Sequence, residues 1–249
     1  MDQYGLIGNP VSHSYSKKYF TEKFLREGIS AQYDLYQLDD IQEVYELIKS
    51  KPDLKGLNVT IPFKQSVIRL LDEVDQSAKL IGAVNTIAIK RKNRKIALKG
   101  YNTDAVGFER TLDTVLKKPI NIRALILGTG GASKAVKYVF RKKGIAFRSV
   151  SRAGLKAEQI TYGMLTKSII NNYNLIVNSS PIGMYPNIDE APDFPYQFLT
   201  NNHILIDLIY NPSETLFLHK GSEMGASTAN GMTMFINQAE EAWKIWRRN

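Results

Sequence analysis

Asn58, Thr60 and Lys64 stand close together in the stretch Gly56-Leu-Asn-Val-Thr-Ile-Pro-Phe-Lys64. The alternation predicts a short strand over Leu57 to Thr60 that hands over at Pro62 to a helix over 63–72, with Val67, Leu70 and Leu71 on its apolar side. Asn58 and Thr60 then share one face of the strand, and Lys64 falls in the first helical turn. The positive end of a helix dipole disfavours a cation there, so Lys64 is a candidate for chemistry; the alternative is a solvated lysine beside an Asn-Thr turn. Ser14 and Ser16 place two hydroxyls ahead of a second helix, suited to gripping a carboxylate or hydroxyl of a small ligand, although Ser16 also suits a helix cap. Asp104, after Tyr101-Asn102-Thr103, opens a third helix, where an acid serves equally as a cap. Gln238, in the last apolar-sided helix, is either satisfied by backbone or reaches into a cleft.

A second chemistry is written in Gly128-Thr129-Gly130-Gly131-Ala132-Ser133, which follows the apolar strand Arg123 to Leu127 and opens a helix over 133–143. In that setting glycine lets backbone approach a pyrophosphate, and helix N-terminal amides bind it, which predicts dinucleotide binding. Ser133 takes the place of the usual third Gly or Ala. The next strand, Ile145 to Val150, runs into Ser151-Arg152, where an NAD-preferring site carries an acid for the ribose. A guanidinium there can pair with the 2′-phosphate of NADP, and Ser151 can add a hydrogen bond. Strands over Leu175 to Asn178 and Ile204 to Asp207 lead into loops that carry Ser179 and Leu208-Ile209-Tyr210-Asn211-Pro212, and these should line the cofactor cleft.

The elements that position these groups alternate. Strands at residues 4–8 and 32–38 and at Leu57 to Thr60 are separated by apolar-striped segments with Phe20, Phe24 and Leu25, then Ile41, Val44, Tyr45 and Ile48, which is the order of a largely parallel sheet. Thr86 to Lys90 and Lys95 to Gly100 read as a hairpin tipped by Arg91-Lys92-Asn93-Arg94. The helix after Asp104 carries Val106, Phe108, Leu112, Val115 and Leu116 and ends near Lys117-Lys118-Pro119. A domain crossing is expected around 101–104. Met234, Phe235, Ala239, Ala242 and Ile245-Trp246 give the final helix its apolar side.

Composition sets the limits. At 249 residues and 43% apolar content the chain can bury a full core. No apolar run is long enough to cross a bilayer, and Met1-Asp2-Gln3-Tyr4 lacks a basic segment followed by an apolar one, so a cytoplasmic protein without membrane contact is expected. The absence of cysteine excludes disulfides and thiolate catalysis, and three scattered histidines, His13, His203 and His219, argue against a metal site. The net charge of +9 is spread over small groups without a nucleic-acid-binding motif, which points to solvated faces and small anionic ligands rather than nucleic acid.

Together these motifs resemble the shikimate dehydrogenases, NADPH-dependent reductases of 3-dehydroshikimate. The similarity runs through nearly the whole chain: Gly5-Leu-Ile-Gly-Asn-Pro, His13-Ser-Tyr-Ser, Asn58 to Lys64, Gly82-Ala-Val-Asn-Thr86, Asn102-Thr-Asp-Ala-Val-Gly-Phe108, Gly128 to Ser133, Asp207-Leu-Ile-Tyr-Asn-Pro212, and Gly231-Met-Thr-Met through Gln238. The resemblance implies substrate contacts from Ser14, Ser16, Asn58, Thr60, Asn85, Tyr210 and Gln238, with Lys64 and Asp104 at the reacting carbonyl. It implies NADP held by Gly128 to Ala132, Ser151, Arg152, Ser179, Leu208 and Gly231, and no metal. It also implies an α/β chain in three parts: a substrate-binding and catalytic domain with a mostly parallel sheet over 1–103, a Rossmann-type NADP domain over 104–230, and a C-terminal helix over 231–249 returning to the first, in a monomer or homodimer. Lys17 stands where the family usually has Pro, Leu208 where Met is common, and Ser151-Arg152-Ala153 where Asn-Arg-Thr is usual. Rival readings are a quinate/shikimate dehydrogenase using NAD, and a non-catalytic sensor of quinate or a nucleotide; Ser16, where quinate-type sites commonly carry threonine, and the retained Lys64 and Asp104 favour the first reading.

Overall fold

The computed structural model describes residues 1–93, 95–116, 121–152 and 159–248. Arg94 of the hairpin tip, the Lys117-Lys118-Pro119 helix end and Ala153 lie outside them. By contacts the chain divides into two compact units, Met1–Thr103 with Ala239–Asn249, and Asp104–Gln238.

The first unit holds a sheet of β1 (Asp2–Gly8), β2 (Ala31–Gln37), β3 (Leu54–Val59), β4 (Glu73–Val74), β5 (Thr86–Lys92) and β6 (Lys95–Tyr101), in the order β2-β1-β3-β5-β6-β4. The pairs β1–β2 and β1–β3 are parallel, and β5 pairs antiparallel with both β3 and β6. Helices α1 (Ser16–Arg26), α2 (Val44–Ser50) and α3 (Gln76–Ile81) connect them. Alternate side chains point to opposite faces of a strand, and two cores result. Ile7, Leu57, Val59, Ile87 and Ile89 pack with Ile41, Val44 and Ile48 on one face. Tyr4, Leu6, Tyr33 and Ala88 pack on the other, under Phe20 and Phe24 of α1 and Ala239, Ala242, Trp243 and Trp246.

The second unit begins with α4 (Asp104–Val115). Its sheet is β7 (Arg123–Leu127), β8 (Ala146–Ser151), β9 (Gln159–Thr161), β10 (Leu175–Asn178), β11 (Ile204–Asp207) and β12 (Ser227–Ala229), with α5 (Gly131–Lys142), α6 (Lys167–Ile170) and α7 (Leu216–Glu223) between strands. Every pair is parallel, and the order is β9-β8-β7-β10-β11-β12. Counted from β7, this is the doubly wound order 3-2-1-4-5-6, whose direction reverses between β7 and β10. The final helix, α8 (Met232–Arg247), counts with the second unit as far as Gln238 and with the first from Ala239.

One expectation fails. Residues 61–65 form turns and Ser66–Leu70 is a 3-10 helix, so no α-helix spans 63–72. The Ile61–Pro62 peptide is cis. The apolar spacing of Val67 and Leu70 still serves burial, but in a tighter winding. The argument from a helix dipole at Lys64 therefore has no helix to rest on. No helix among the described residues is long and apolar enough to cross a membrane.

Arg91 does structural work. Its guanidinium donates to the carbonyls of Ile48 at 2.8 Å and Lys51 at 3.0 Å, and to that of Leu54. The Ile48 carbonyl is one that the end of α2 leaves without an intrahelical donor, Lys51 is the C-cap of that helix, and Leu54 opens β3. Arg91→Ala should destabilise the protein by about 2–3 kcal/mol in urea denaturation, since charge-assisted bonds are lost together. Arg91→Lys should recover less than half, because one ammonium cannot span three acceptors. A loss below about 0.5 kcal/mol would refute the capping role.

Candidate functional site

In the first unit the chemistry-bearing residues follow the carboxyl ends of β1 and β3. These strands are parallel neighbours, so both loops leave the same end of the sheet, and the Asn9 amide donates to the Ile61 carbonyl at 3.0 Å to join them. Ser14 and Ser16 come together on the first loop, with the Ser16 amide donating to Ser14 Oγ at 3.2 Å. Their structural roles are the reverse of the sequence reading. Ser16 is the first residue of α1 behind an N-cap, Tyr15, that makes no side-chain capping bond, whereas Ser14 is the hydroxyl engaged with backbone. Lys17, beside them, pairs with Asp34 at 2.9 Å.

Thr60 and Lys64 occupy the second loop, both half-buried. The Thr60 amide bonds the Ile7 carbonyl at 2.9 Å, and the Lys64 carbonyl accepts from Val84 at 2.7 Å. Asn58 is buried at the end of β3 with its amide already occupied. It accepts from the Tyr33 hydroxyl at 2.8 Å and donates to the Asn85 carbonyl and Thr86 Oγ1, each at 3.2 Å. Asn85 Oδ1 accepts from the Thr103 amide at 2.7 Å, and its Nδ2 donates to Thr103 Oγ1 at 2.9 Å. Tyr33, Thr86 and Thr103 are members of this network that sequence reasoning passed over. No local signal marks them: Tyr33 is flanked by Gln32 and Asp34, Thr86 follows Asn85, and Thr103 lies beyond the end of β6.

In the second unit Asp104 is the buried first residue of α4. Tyr210 stacks obliquely on Phe235, with ring centres 4.7 Å apart, and Gln238, half-buried, lies one turn further along α8. Gly231 donates its amide to the Ile209 carbonyl at 2.9 Å.

The glycine turn lies where the sheet order reverses. Gly128 has φ +108°, a conformation that side chains rarely adopt, and a Cβ there would sit 3.1 Å from Ser179 Oγ. Ser179 in turn bonds the Leu127 carbonyl through its hydroxyl at 2.8 Å. Thr129 and Gly130 are exposed, and α5 starts directly behind them at Gly131, two residues earlier than expected, with Gly130 as N-cap. Ser133 is fully buried and donates to the Gly130 carbonyl at 2.7 Å, so the departure from Gly or Ala is absorbed inside the turn. Ser151, buried, ends β8, and Arg152 is exposed directly after it. An open glycine turn, the start of a twelve-residue helix and a cation after the second strand fit a dinucleotide carrying an extra phosphate.

Behind this surface is an acid that the sequence reading treated only as a strand end. Asp207 is fully buried and accepts from Thr215 Oγ1 at 2.6 Å, the Ile209 amide at 3.0 Å and Asn178 Nδ2 at 3.1 Å. Thr215 also caps α7. Desolvation outweighs these donors and pushes the Asp207 carboxyl up to about 6.

Among known proteins, residues 6–87 match the family model of the shikimate dehydrogenase substrate binding domain. The shikimate dehydrogenase (NADP(+)) of Methanococcus maripaludis is 36% identical over 97% of this chain and 90% of its own length. That of Bacillus subtilis is 32% identical over 98% and 90%. The crystal structure of shikimate dehydrogenase from Aquifex aeolicus superposes with a TM-score of 0.87 at 33% identity, covering 100% of this chain and 93% of the other.

The Asp207 environment has a pH signature. A carboxyl raised from 3.8 to about 6 binds its proton more tightly folded than unfolded. Its contribution to stability is therefore fully present below pH about 4 and is lost as pH rises through about 6. The stability difference between wild type and Asp207→Asn, measured by denaturant titration, should shift against wild type by about 3 kcal/mol from pH 4 to 7.5. A difference that is flat or rises with pH would refute the assignment.

Proposed function

The chain belongs to the shikimate dehydrogenase family, and from that premise we propose which of its residues carry the reversible reduction of 3-dehydroshikimate to shikimate in aromatic amino acid biosynthesis. The activity is that of an NADP-dependent oxidoreductase acting on a CH–OH group. NADPH, when bound, supplies the hydride. The observation that carries the residue assignment is the convergence of the Ser14–Ser16 and Thr60–Lys64 loops at one end of the first unit's sheet.

Under this reading Ser14, Ser16, Thr60, Asn85, Tyr210 and Gln238 take the substrate's hydroxyls and carboxylate. Asn58 acts chiefly by holding Asn85 and Thr86 in place, since its own amide is occupied. A ketone on its way to an alcohol develops negative charge on oxygen, and the Lys64 ammonium is the group to stabilise and protonate it. Asp104 is the second catalytic group, holding a substrate hydroxyl and balancing the lysine's charge. Gly128 to Ala132 cradle the pyrophosphate through backbone, with Ser179, Leu208 and Gly231 around the rest of the cofactor. Ser151 and Arg152 take the 2′-phosphate. The residue ranges 1–103, 104–230 and 231–249 serve as substrate domain, cofactor domain and returning helix, in a cytoplasmic monomer or homodimer.

Lys64→Ala should lower kcat by roughly 100-fold or more with little change in KM, as for loss of a general acid. Near-normal turnover would remove Lys64 from the catalytic role. Reduction of NADP or NAD, each crossed with shikimate and quinate and followed by absorbance, should be fastest with shikimate and NADP; faster turnover of quinate with NAD would favour the quinate-type reading.

Arg152→Ala should raise KM for NADP by about 10-fold or more, the worth of a charge-assisted contact, and leave NAD nearly unchanged. Equal weakening of both cofactors, or of neither, would remove Arg152 from the 2′-phosphate.

A further inference from the structure

The first unit's sheet has an opposite end. Where β1 and β3 begin and β5 finishes, a cleft of about 850 Å³ opens beside the last turns of α8. β3 separates it from the Thr60–Lys64 loop by about 20 Å of strand. Its inner wall is aromatic: Tyr4 stacks on Trp246 with centres 4.9 Å apart and meets Trp243 edge-on at 5.3 Å. The Trp243 Nε1 donor is buried in this wall with no acceptor among the described residues. A buried donor without a partner is rare enough in folded proteins to need an explanation.

The rim is basic, with Lys55, Lys90, Lys92 and Arg247. Two acids also line the cleft, but both are engaged: Asp2 lies 3.9 Å from Lys55, and Glu27 accepts from Lys23 at 2.8 Å and from Arg26 at 3.3 Å. Arg91, though it lines the same space, is committed to the carbonyls of Ile48, Lys51 and Leu54. The cleft's own carboxylates are therefore taken up, and although Glu73 of β4 lies near enough to feel Lys90, no carboxylate lining the cleft offsets Lys90, Lys92 or Arg247. An aromatic wall under such a rim selects for a particular chemistry, in which a flat apolar body rests on the rings and an acid group meets the ammonium and guanidinium groups.

We propose that this cleft is a binding site for a small organic anion with a planar, apolar body, seated against Tyr4, Trp243 and Trp246 with its acid group toward Lys90, Lys92 and Arg247. The site is separate from the substrate loops and does not depend on the hydride-transfer reading. Lys90 and Lys92 have no part in that reading and are both exposed, so changing them tests the cleft alone.

The chain's two tryptophans both line this cleft, so tryptophan emission reports on it directly. Anilinonaphthalene sulfonate, an aromatic sulfonate, is the probe, followed by energy transfer from tryptophan in the full-length protein. Saturable binding should weaken as salt is raised, and by about 10-fold in Lys90→Glu/Lys92→Glu, while shikimate turnover stays at the wild-type level. Lys90→Gln/Lys92→Gln should give a smaller loss in the same direction, which keeps the test open if charge reversal disturbs folding. Neither shikimate nor NADP should displace the probe. Absence of saturable binding, affinity indifferent to the lysine substitutions, or displacement by shikimate or NADP would each overturn the proposal.

Discussion

A polar group taken out of water has to find its partners inside the protein, and the end of the first unit's sheet is built around that requirement. Asn58 sits on β3 between the core residues Leu57 and Val59, and Tyr33 from β2, with Asn85 and Thr86 at the start of β5, satisfies its amide. Asn85 in turn holds the Thr103 amide and hydroxyl. The backbone follows the same joints, with Val59 bonded to the Asn85 carbonyl at 2.8 Å and Asn85 to that of Tyr101 at 3.0 Å. Lys64 inherits its position from this assembly through the bond from Val84, and Asp104 is covalently next to Thr103. Removal of either amide would take bonds from several neighbours at once, which makes the network costly to disturb.

The second unit meets the same requirement with a charge. Asp207, at the end of β11, collects donors from β10, from its own loop and from the cap of α7, and Asn178 passes the connection on by accepting from the Ser180 amide at 3.0 Å and hydroxyl at 2.7 Å. The loops after β10 and β11, which carry Ser179, Leu208 and Tyr210, thus hang from one buried carboxyl. A carboxylate costs more to bury than an amide, and the raised proton affinity of Asp207 records that cost.

The end of the chain completes the first unit's second core. Ala239 and Ala242 are fully buried and let α8 lie close to the sheet. Trp246 reaches across to donate its indole N–H to the Ile87 carbonyl at 3.0 Å, directly over Gly56, where a Cβ would stand 2.2 Å from that nitrogen. Glu240 accepts from the Tyr19 hydroxyl at 2.5 Å and from Lys23 at 3.0 Å, and Lys23, almost wholly buried, also holds Glu27 at 2.8 Å. Residues more than two hundred positions apart thereby specify one another, and α8 adds to Glu27 the second carboxylate that the buried Lys23 ammonium meets.

Local structure is legible in a chain as far as neighbouring residues encode it. Short apolar runs and the loops that follow them located Leu175–Asn178 and Ile204–Asp207 to the residue, the β5–β6 hairpin was placed to within two, and the glycine turn was found in its strand-to-helix setting. The side chains with chemistry were legible because their types and spacing are local. Winding and partnership were not. The apolar spacing of Val67 and Leu70 fits an α-helix and a 3-10 turn alike, and only packing against the sheet chose the latter. The segment with α7 and β12 carries Ser, Thr, Gly and His among its apolar residues and shows little periodicity until Leu205 and Phe217 pack together. Tyr33, Thr103 and Asp207 acquire their importance from residues brought beside them by the fold. A hydrogen bond between distant positions leaves no periodic trace in the chain; the tertiary structure alone decides it, because only there does burial remove water as the competing partner.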